Sequence, residues 1–428
     1  MREIIGRFRT PFERFLVHEA SGGFVLLSAT VAAVALATWL GAETWHHAWD
    51  RELAIISGGR FRLGLSFHHW VNDGLMALFF LLVGLELKRE LLVGELSGAR
   101  EAALPVIAAI GGMAIPALIF AAFNAGTPTA AGWGIPMATD IAFAIGVLRM
   151  LGDRVPRALV VFLTALAIAD DLGAVLVIAV FYSAHLDFHA LRACAALFVL
   201  LVIFNRGGVR SALPYLLVGA MLWHYMLASG VHATIAGVLV AATIPARARS
   251  TPRQLADRLG ELHDELRAEV ADSAAIANAA QEVGAAAQSP LQRLEHALSP
   301  WIALVVIPVF ALANAGIDLK AIRWGEAFSS ALTIGVITGL VVGKLVGISA
   351  FAWIAVRLDV SRLPEGVGWR HVIGAASLAG IGFTMSLFIA QLAFVQPEQV
   401  EAAKLGILVA SALAAAVGVG WLWRPMRR

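Results

Sequence analysis

At 428 residues, with 59% hydrophobic and 14% charged side chains and a mean hydropathy of +0.79, the chain is far more apolar than an ordinary soluble domain. The balance of 32 Lys and Arg against 30 Asp and Glu leaves no nucleic-acid footprint, and the single cysteine, Cys194, excludes an internal disulfide framework and offers no metal-site spacing. The composition predicts an all-α polytopic membrane protein.

The chain opens on an amphipathic leader carrying Arg2, Arg7, Arg9 and Arg14, with no small-residue cleavage site, so the first apolar run is read as a spanning helix and not as a signal peptide. Windows of about 20 mostly apolar residues, the length a bilayer demands, number roughly twelve. They cover 22–41, 70–87, 103–123, 131–149, 158–182, 190–205, 212–228, 230–245, 301–317, 328–356, 372–395 and 402–423. An even count puts both termini on one side. That side then collects the great majority of the lysines and arginines, including Arg2, Arg89, Arg149, Arg206, Arg293 and Arg428, while Arg51, Arg60, Arg62, Arg192, Lys320, Arg323 and Lys404 fall opposite. Cytoplasmic loops are the ones enriched in such residues, so both termini are predicted to be cytoplasmic.

Residues 1–428 are read as one integral membrane domain, with 246–296 a polar cytoplasmic loop inserted in it. Inside that loop Leu255, Leu259, Leu262, Leu266 and Val270 recur at helical spacing and predict an amphipathic helix, followed by an alanine-rich tether at 274–288. The segment from Trp45 to Phe67, polar by membrane standards, is expected to form an external hairpin.

Few charges remain within the apolar runs: Asp73, Asp140, Asp170, Asp171 and Lys344. Each ionised side chain at the bilayer centre costs about 2.5–3.5 kcal/mol on insertion scales, so such residues face a partner or a cavity and mark ion paths. The acids outnumber the base, and protons or a bound cation must make up the difference. Asp170 and Asp171 point about 100° apart on a helix and cannot share one partner in the same way. As neighbouring carboxylates they also disfavour each other's ionised form, which suits a site that trades protons for a cation.

Two runs are interrupted. In GWGIPMATDIAFAIG (132–146), Pro136 cannot continue a helix, Gly132 and Gly134 loosen it, and the Thr139 hydroxyl can serve freed backbone groups. In GAASLAGIGFTMSLFIA (374–390), Gly380, Gly382 and Thr384 interrupt an equally apolar stretch. Paired broken helices point to a transporter site near the bilayer midplane, where an acid such as Asp140 and a base such as Lys344 offset the exposed helix ends.

Six strings, NDGLMALFFLLVGLELKREL (72–91), ATDIAFAIGVL (138–148), LAIADDLGA (166–174), SGVHATIAGV (229–238), GLVVGKLVGIS (339–349) and GIGFTMSLFIA (380–390), resemble the NhaA-type sodium/proton antiporter family over nearly the whole chain. The resemblance implies inverted-topology repeats and two broken helices crossing near the midplane. It also implies export of sodium or lithium in exchange for protons, electrogenic and activated at alkaline pH, with no cofactor beyond the transported ions, in a homodimer of the bacterial inner membrane. By the same resemblance Asp171 is the cation-binding carboxylate, Asp170 its proton-coupled neighbour paired with Lys344, and Thr139 with Asp140 the unwound lining of the site. Glu86, Arg89, Glu90, Glu295 and His296 resemble the cluster at the cytoplasmic mouth that responds to pH. Asp73 is left as a further intramembrane acid, and His224 and His232 as hydrogen-bonded packing residues.

The alternatives are a related cation/proton antiporter of different ion preference and an intramembrane aspartyl enzyme. A diphosphate site wants a further acid one turn on, which DDLGAVL lacks, and a protease dyad of Asp140 and Asp171 leaves Lys344 unexplained. A channel needs no pair of broken helices.

Overall fold

The computed structural model of the protein describes residues 19–57, 61–94, 98–183, 186–248, 252–267, 278–279, 281, 283–284 and 287–423. The arginine-rich leader, Arg60, Arg249, Val270, part of the 274–288 tether and Arg424, Arg427 and Arg428 lie outside the described residues.

Each of the twelve apolar runs contains helix. In chain order the elements are α1 (Glu19–Leu40), α2 (Ala42–Trp49), strands β1 (Glu52–Ser57) and β2 (Phe61–Ser66), α3 (Phe67–Leu92) and α4 (Ala99–Asn124). A 3-10 helix (Ala130–Met137) precedes α5 (Ile141–Met150), then come α6 (Arg157–Phe181), α7 (Phe188–Arg206), α8 (Ala212–Ser229) and α9 (Ile235–Thr243). The second half holds α10 (Pro252–Arg267), α11 (Pro290–Asn314), α12 (Trp324–Ser329), α13 (Ala331–Arg357), α14 (Trp369–Leu378), α15 (Phe383–Ala393) and α16 (Pro397–Trp423). Among the described residues, 10 helices are long and apolar enough to cross a membrane, and the pair α14 and α15, bent by 47° at its break, makes an eleventh. The remaining run, 230–245, yields only the 9 residues of α9, because Gly230 in the left-handed region (φ 81) ends α8 and the chain turns before helix resumes.

The expected external hairpin is α2 followed by the antiparallel pair β1 and β2, with Leu53 opposite Leu65. The amphipathic helix of the polar insertion is α10, with Leu259 54% exposed, so its apolar stripe is not built into the core. One boundary differs from the sequence reading. The insertion ends before residue 296, since α11 starts at Pro290 with a reciprocal Ser289–Gln292 capping box and Pro in the first turn, and Leu291 and Leu294 are buried at once. Glu295 and His296 therefore sit in the second turn of a spanning helix and not on a loop. Their polarity, with Arg293, hides that turn from a hydropathy window.

Two apolar clusters organise the packing. The larger joins α1, α4, α5, α6, α11 and α13–α16, and the smaller joins Leu81 and Leu85 of α3 with Tyr215, Met226, Val240 and Leu291 of α8, α9 and α11. In the larger one α4 and α13 cross almost backbone to backbone. A Cβ on Gly111 would lie 2.4 Å from the Gly347 carbonyl, and one on Gly347 would lie 2.1 Å from that of Gly111. One turn earlier, a Cβ on Gly343 would meet Pro116 Cα at 2.8 Å. Glycine at these contacts is what lets α13 carry Lys344 into the interior.

Candidate functional site

The site is built where the two interrupted spans cross. Between the 3-10 helix and α5, residues 138–140 are extended, and between α14 and α15 lie residues 379–382. Such open backbone at membrane depth must find internal partners. The Asp140 N–H donates to the Ile381 carbonyl at 2.7 Å, the Thr139 hydroxyl reaches the Ala379 carbonyl at 2.8 Å, and the Ser386 hydroxyl donates to the Ile135 carbonyl at 2.7 Å.

Asp140 then serves two helix starts. Its Oδ1 accepts from the Phe143 N–H at 2.9 Å as the N-cap of α5, while its Oδ2 accepts from the Thr384 N–H at 3.1 Å and the Thr384 hydroxyl at 2.5 Å in the first turn of α15. An anion between two helix N-termini is held by both sets of unpaired N–H groups.

Asp170 and Asp171 lie midway along α6, both fully buried, as is Lys344. The Lys344 ammonium donates to Asp170 Oδ2 in a buried ion pair, and the same oxygen accepts from the Thr139 hydroxyl at 2.7 Å. That hydroxyl has one hydrogen for two acceptors, Asp170 and the Ala379 carbonyl, so it serves one at a time. Asp171 is different. Both its carboxylate oxygens are buried with no hydrogen-bond partner among the described residues, and so is Oδ1 of Asp170. Asp171 lies within electrostatic range of Asp170, Asp140, Lys344 and Glu86. A buried carboxylate without donors is costly as an anion unless a proton or a cation accompanies it.

The mouth residues also come together. Arg89 bridges Glu90 at 2.9 Å and Glu295 at 3.3 Å, joining α3 to α11. Glu86 and His296 share with Arg149 a cavity of ≈ 650 Å³ whose lining continues to Asp140 and Thr384. Asp73 is not part of this constellation. It sits in the π-helical turn Trp70–Leu75 towards the other end of α3, where its carbonyl accepts from the Trp223 indole at 2.9 Å. His232 donates to the Tyr182 carbonyl at 2.7 Å. Among the described residues no three His, Cys, Asp or Glu side chains gather closely enough to hold a metal ion.

Against known sequences, the family model described as Na+/H+ antiporter 1 matches residues 13–422. The chain belongs to this family. It is 54% identical over 430 residues to the Na(+)/H(+) antiporter NhaA of Acidithiobacillus ferrooxidans, an alignment spanning 98% of both chains. It is 50% identical over 435 residues to the NhaA of Syntrophobacter fumaroxidans, covering 99% of this chain and 92% of that one. With the NhaA of Escherichia coli O1:K1 it shares 46% over 412 residues, covering 96% and 97%. Membership sets it among multi-pass membrane transporters and removes the aspartyl-enzyme alternative.

Two contacts had no signal in the sequence reading. Thr384 stood out only as an interruption, yet it carries the link to Asp140. Lys88, one residue from the mouth cluster, donates to the Ala242 and Ile244 carbonyls at 2.7 and 2.5 Å and so caps the C-terminal end of α9. A lysine at a helix C-terminus 154 residues away in sequence is invisible to local patterns.

Proposed function

We propose that the chain is an antiporter that exports sodium or lithium from the cytoplasm in exchange for protons across a bacterial inner membrane, with both termini cytoplasmic. The observation that carries this reading is the contrast inside the DD pair: Asp170 is committed to Lys344 and Thr139, while Asp171 presents two buried oxygens without donors. Hard carboxylate and hydroxyl oxygens suit a small alkali cation. Asp171, with the free Oδ1 of Asp170 and the Thr139 hydroxyl beside it, supplies that chemistry.

Charge bookkeeping gives the coupling. Asp140 is held by two helix N-termini, and Asp170 with Lys344 forms a neutral pair, so Asp171 carries the charge that a proton or a sodium ion must cancel before the site crosses the apolar barrier. The two ligands exclude each other on one carboxylate. A second proton exchanges at the Asp170–Lys344 pair as the Thr139 hydroxyl switches between Asp170 and Ala379. More protons then enter than sodium ions leave, the exchange is electrogenic, and the membrane potential helps drive export. The cavity from Glu86 and His296 down to Asp140 is the cytoplasmic funnel, and the neighbouring Arg89–Glu90 and Arg89–Glu295 pairs set activation at alkaline pH. Residues 1–428 act as one transport unit without a cofactor, α10 is a peripheral part of the cytoplasmic insertion, and the β1–β2 hairpin joins two copies in a dimer.

The test is dissipation of a proton gradient in everted membrane vesicles on adding sodium, lithium or potassium between pH 6.5 and 8.5. Collapse by sodium or lithium that is absent in Asp171→Asn supports the reading. A gradient that no cation disturbs, or one that Asp171→Asn dissipates as well as the parent, overturns it.

A further inference from the structure

At the end of α3 opposite the Glu86 mouth, a second polar cluster closes the bundle. Asn314, the last residue of α11, is fully buried, and its amide donates to Asn72 Oδ1 at 2.8 Å and to the Phe310 carbonyl at 3.0 Å. Its own Oδ1 accepts from the Asn72 amide at 3.4 Å and from His68 Nε2 at 3.1 Å. His68 and Asn72 stand in the first turns of α3, eighteen and fourteen residues from Glu86, about 20–27 Å at 1.5 Å per residue. The exchange mechanism uses none of the three.

Reciprocal amide bonds between two spanning helices, with one partner fully desolvated, form a contact that is stable only while closed. Parting it leaves buried donors and acceptors that water must then fill. Charged groups of both signs stand around it. Lys404 in the second turn of α16 is 2% exposed, and His68 lies within electrostatic range of Lys404, of Asp50 in the turn after α2, and of its neighbour His69.

We infer that Asn72, Asn314 and His68 form the outer gate of the exchange pathway, which is closed here and must part in each cycle to let the site meet the far aqueous phase. The inference rests on the exchange reading above. The gate has a built-in direction: a proton taken by the His68 ring from the outer solution sets a second positive charge within range of the buried Lys404, with Asp50 the acid facing His68 and Glu401 the acid facing Lys404. Repulsion then favours the parted state. Acid outside therefore opens the face through which protons enter.

The test uses the full chain in a Cys194→Ser background, reconstituted in proteoliposomes with sodium/proton exchange as readout. Oxidising the double variant Asn72→Cys with Asn314→Cys is expected to form a bridge and to lower exchange at least about tenfold, reversibly with reductant, while oxidation leaves the rate of each single variant where it stood before oxidation. A bridge that leaves exchange intact, or no bridge between side chains that touch here, overturns the gate. Independently, His68→Asn, which offers an amide N–H in place of the ring donor but cannot titrate in this range, is expected to cut the acceleration between outer pH 7.5 and 5.5, at fixed inner pH, by about threefold or more. An unchanged ratio overturns the role of His68. Absence of exchange in the Cys194→Ser parent itself overturns the exchange reading, and the gate falls with it. That result is distinct from failure of the variants alone.

Discussion

Asp140 in one broken span caps the first turn of the other: its carboxylate accepts from both the backbone N–H and the hydroxyl of Thr384, 244 residues away. The crossing is therefore held by an anion shared between the N-termini of α5 and α15. Asp140→Asn keeps the size but removes the charge and turns an NH2 group towards N–H donors. Favourable, partly buried charge at a helix end is worth up to about 2 kcal/mol per terminus, so thermal unfolding in detergent should begin several degrees lower. A melting temperature equal to that of the parent would show that the shared cap does not hold the crossing.

The Asp170–Lys344 pair makes a sharper prediction. Removing one partner of a buried ion pair costs about 3–5 kcal/mol because the other is left as an uncompensated charge, whereas removing both is often nearly neutral. Lys344→Met should be strongly destabilised, and combining it with Asp170→Asn should recover most of the stability without recovering exchange. A double variant no more stable than Lys344→Met would contradict the pairing.

Thr139→Val tests the switchable hydroxyl. The substitution removes the one buried O–H donor that Asp170 and the Ala379 carbonyl share, leaving Asp170 with Lys344 alone, at about 1–3 kcal/mol. Apparent sodium affinity in exchange assays should fall about tenfold while expression is kept. Unaltered affinity would remove Thr139 from the site.

Lys88→Met probes the α9 cap. Loss of a charged donor at a helix C-terminus should cost about 1–2 kcal/mol and loosen amide protection from Val240 to Ile244, leaving that of α6 as it was. Hydrogen exchange of the two helices reads this directly, and unaltered protection in α9 would refute it.

Much of this was legible in the residues. Hydropathy located all the spans because lipid forbids unsatisfied backbone, and Pro136 and Gly380 marked the breaks for the same reason. Asp170, Asp171 and Lys344 stood out because a charge within an apolar run needs a reason. Which of the two aspartates takes the lysine came from the resemblance alone, and Lys344 lies against Asp170. The Thr384, Lys88 and Asn314 contacts could not be read because each joins residues more than 150 positions apart through ordinary polar side chains. The start of α11 was missed because Arg293, Glu295 and His296 lower the hydropathy of a turn that is helical and packed.

In the proposed exchange, sodium and a proton compete for Asp171. Sodium binding to the purified protein by titration calorimetry, repeated at pH 8.5 and 6.5 in two buffers of different ionisation enthalpy, counts the protons released per ion bound. Competition at Asp171 requires proton release on binding, weakening of sodium affinity as pH falls, and loss of both in Asp171→Asn. Sodium binding that releases no proton, or that persists in Asp171→Asn, would contradict it.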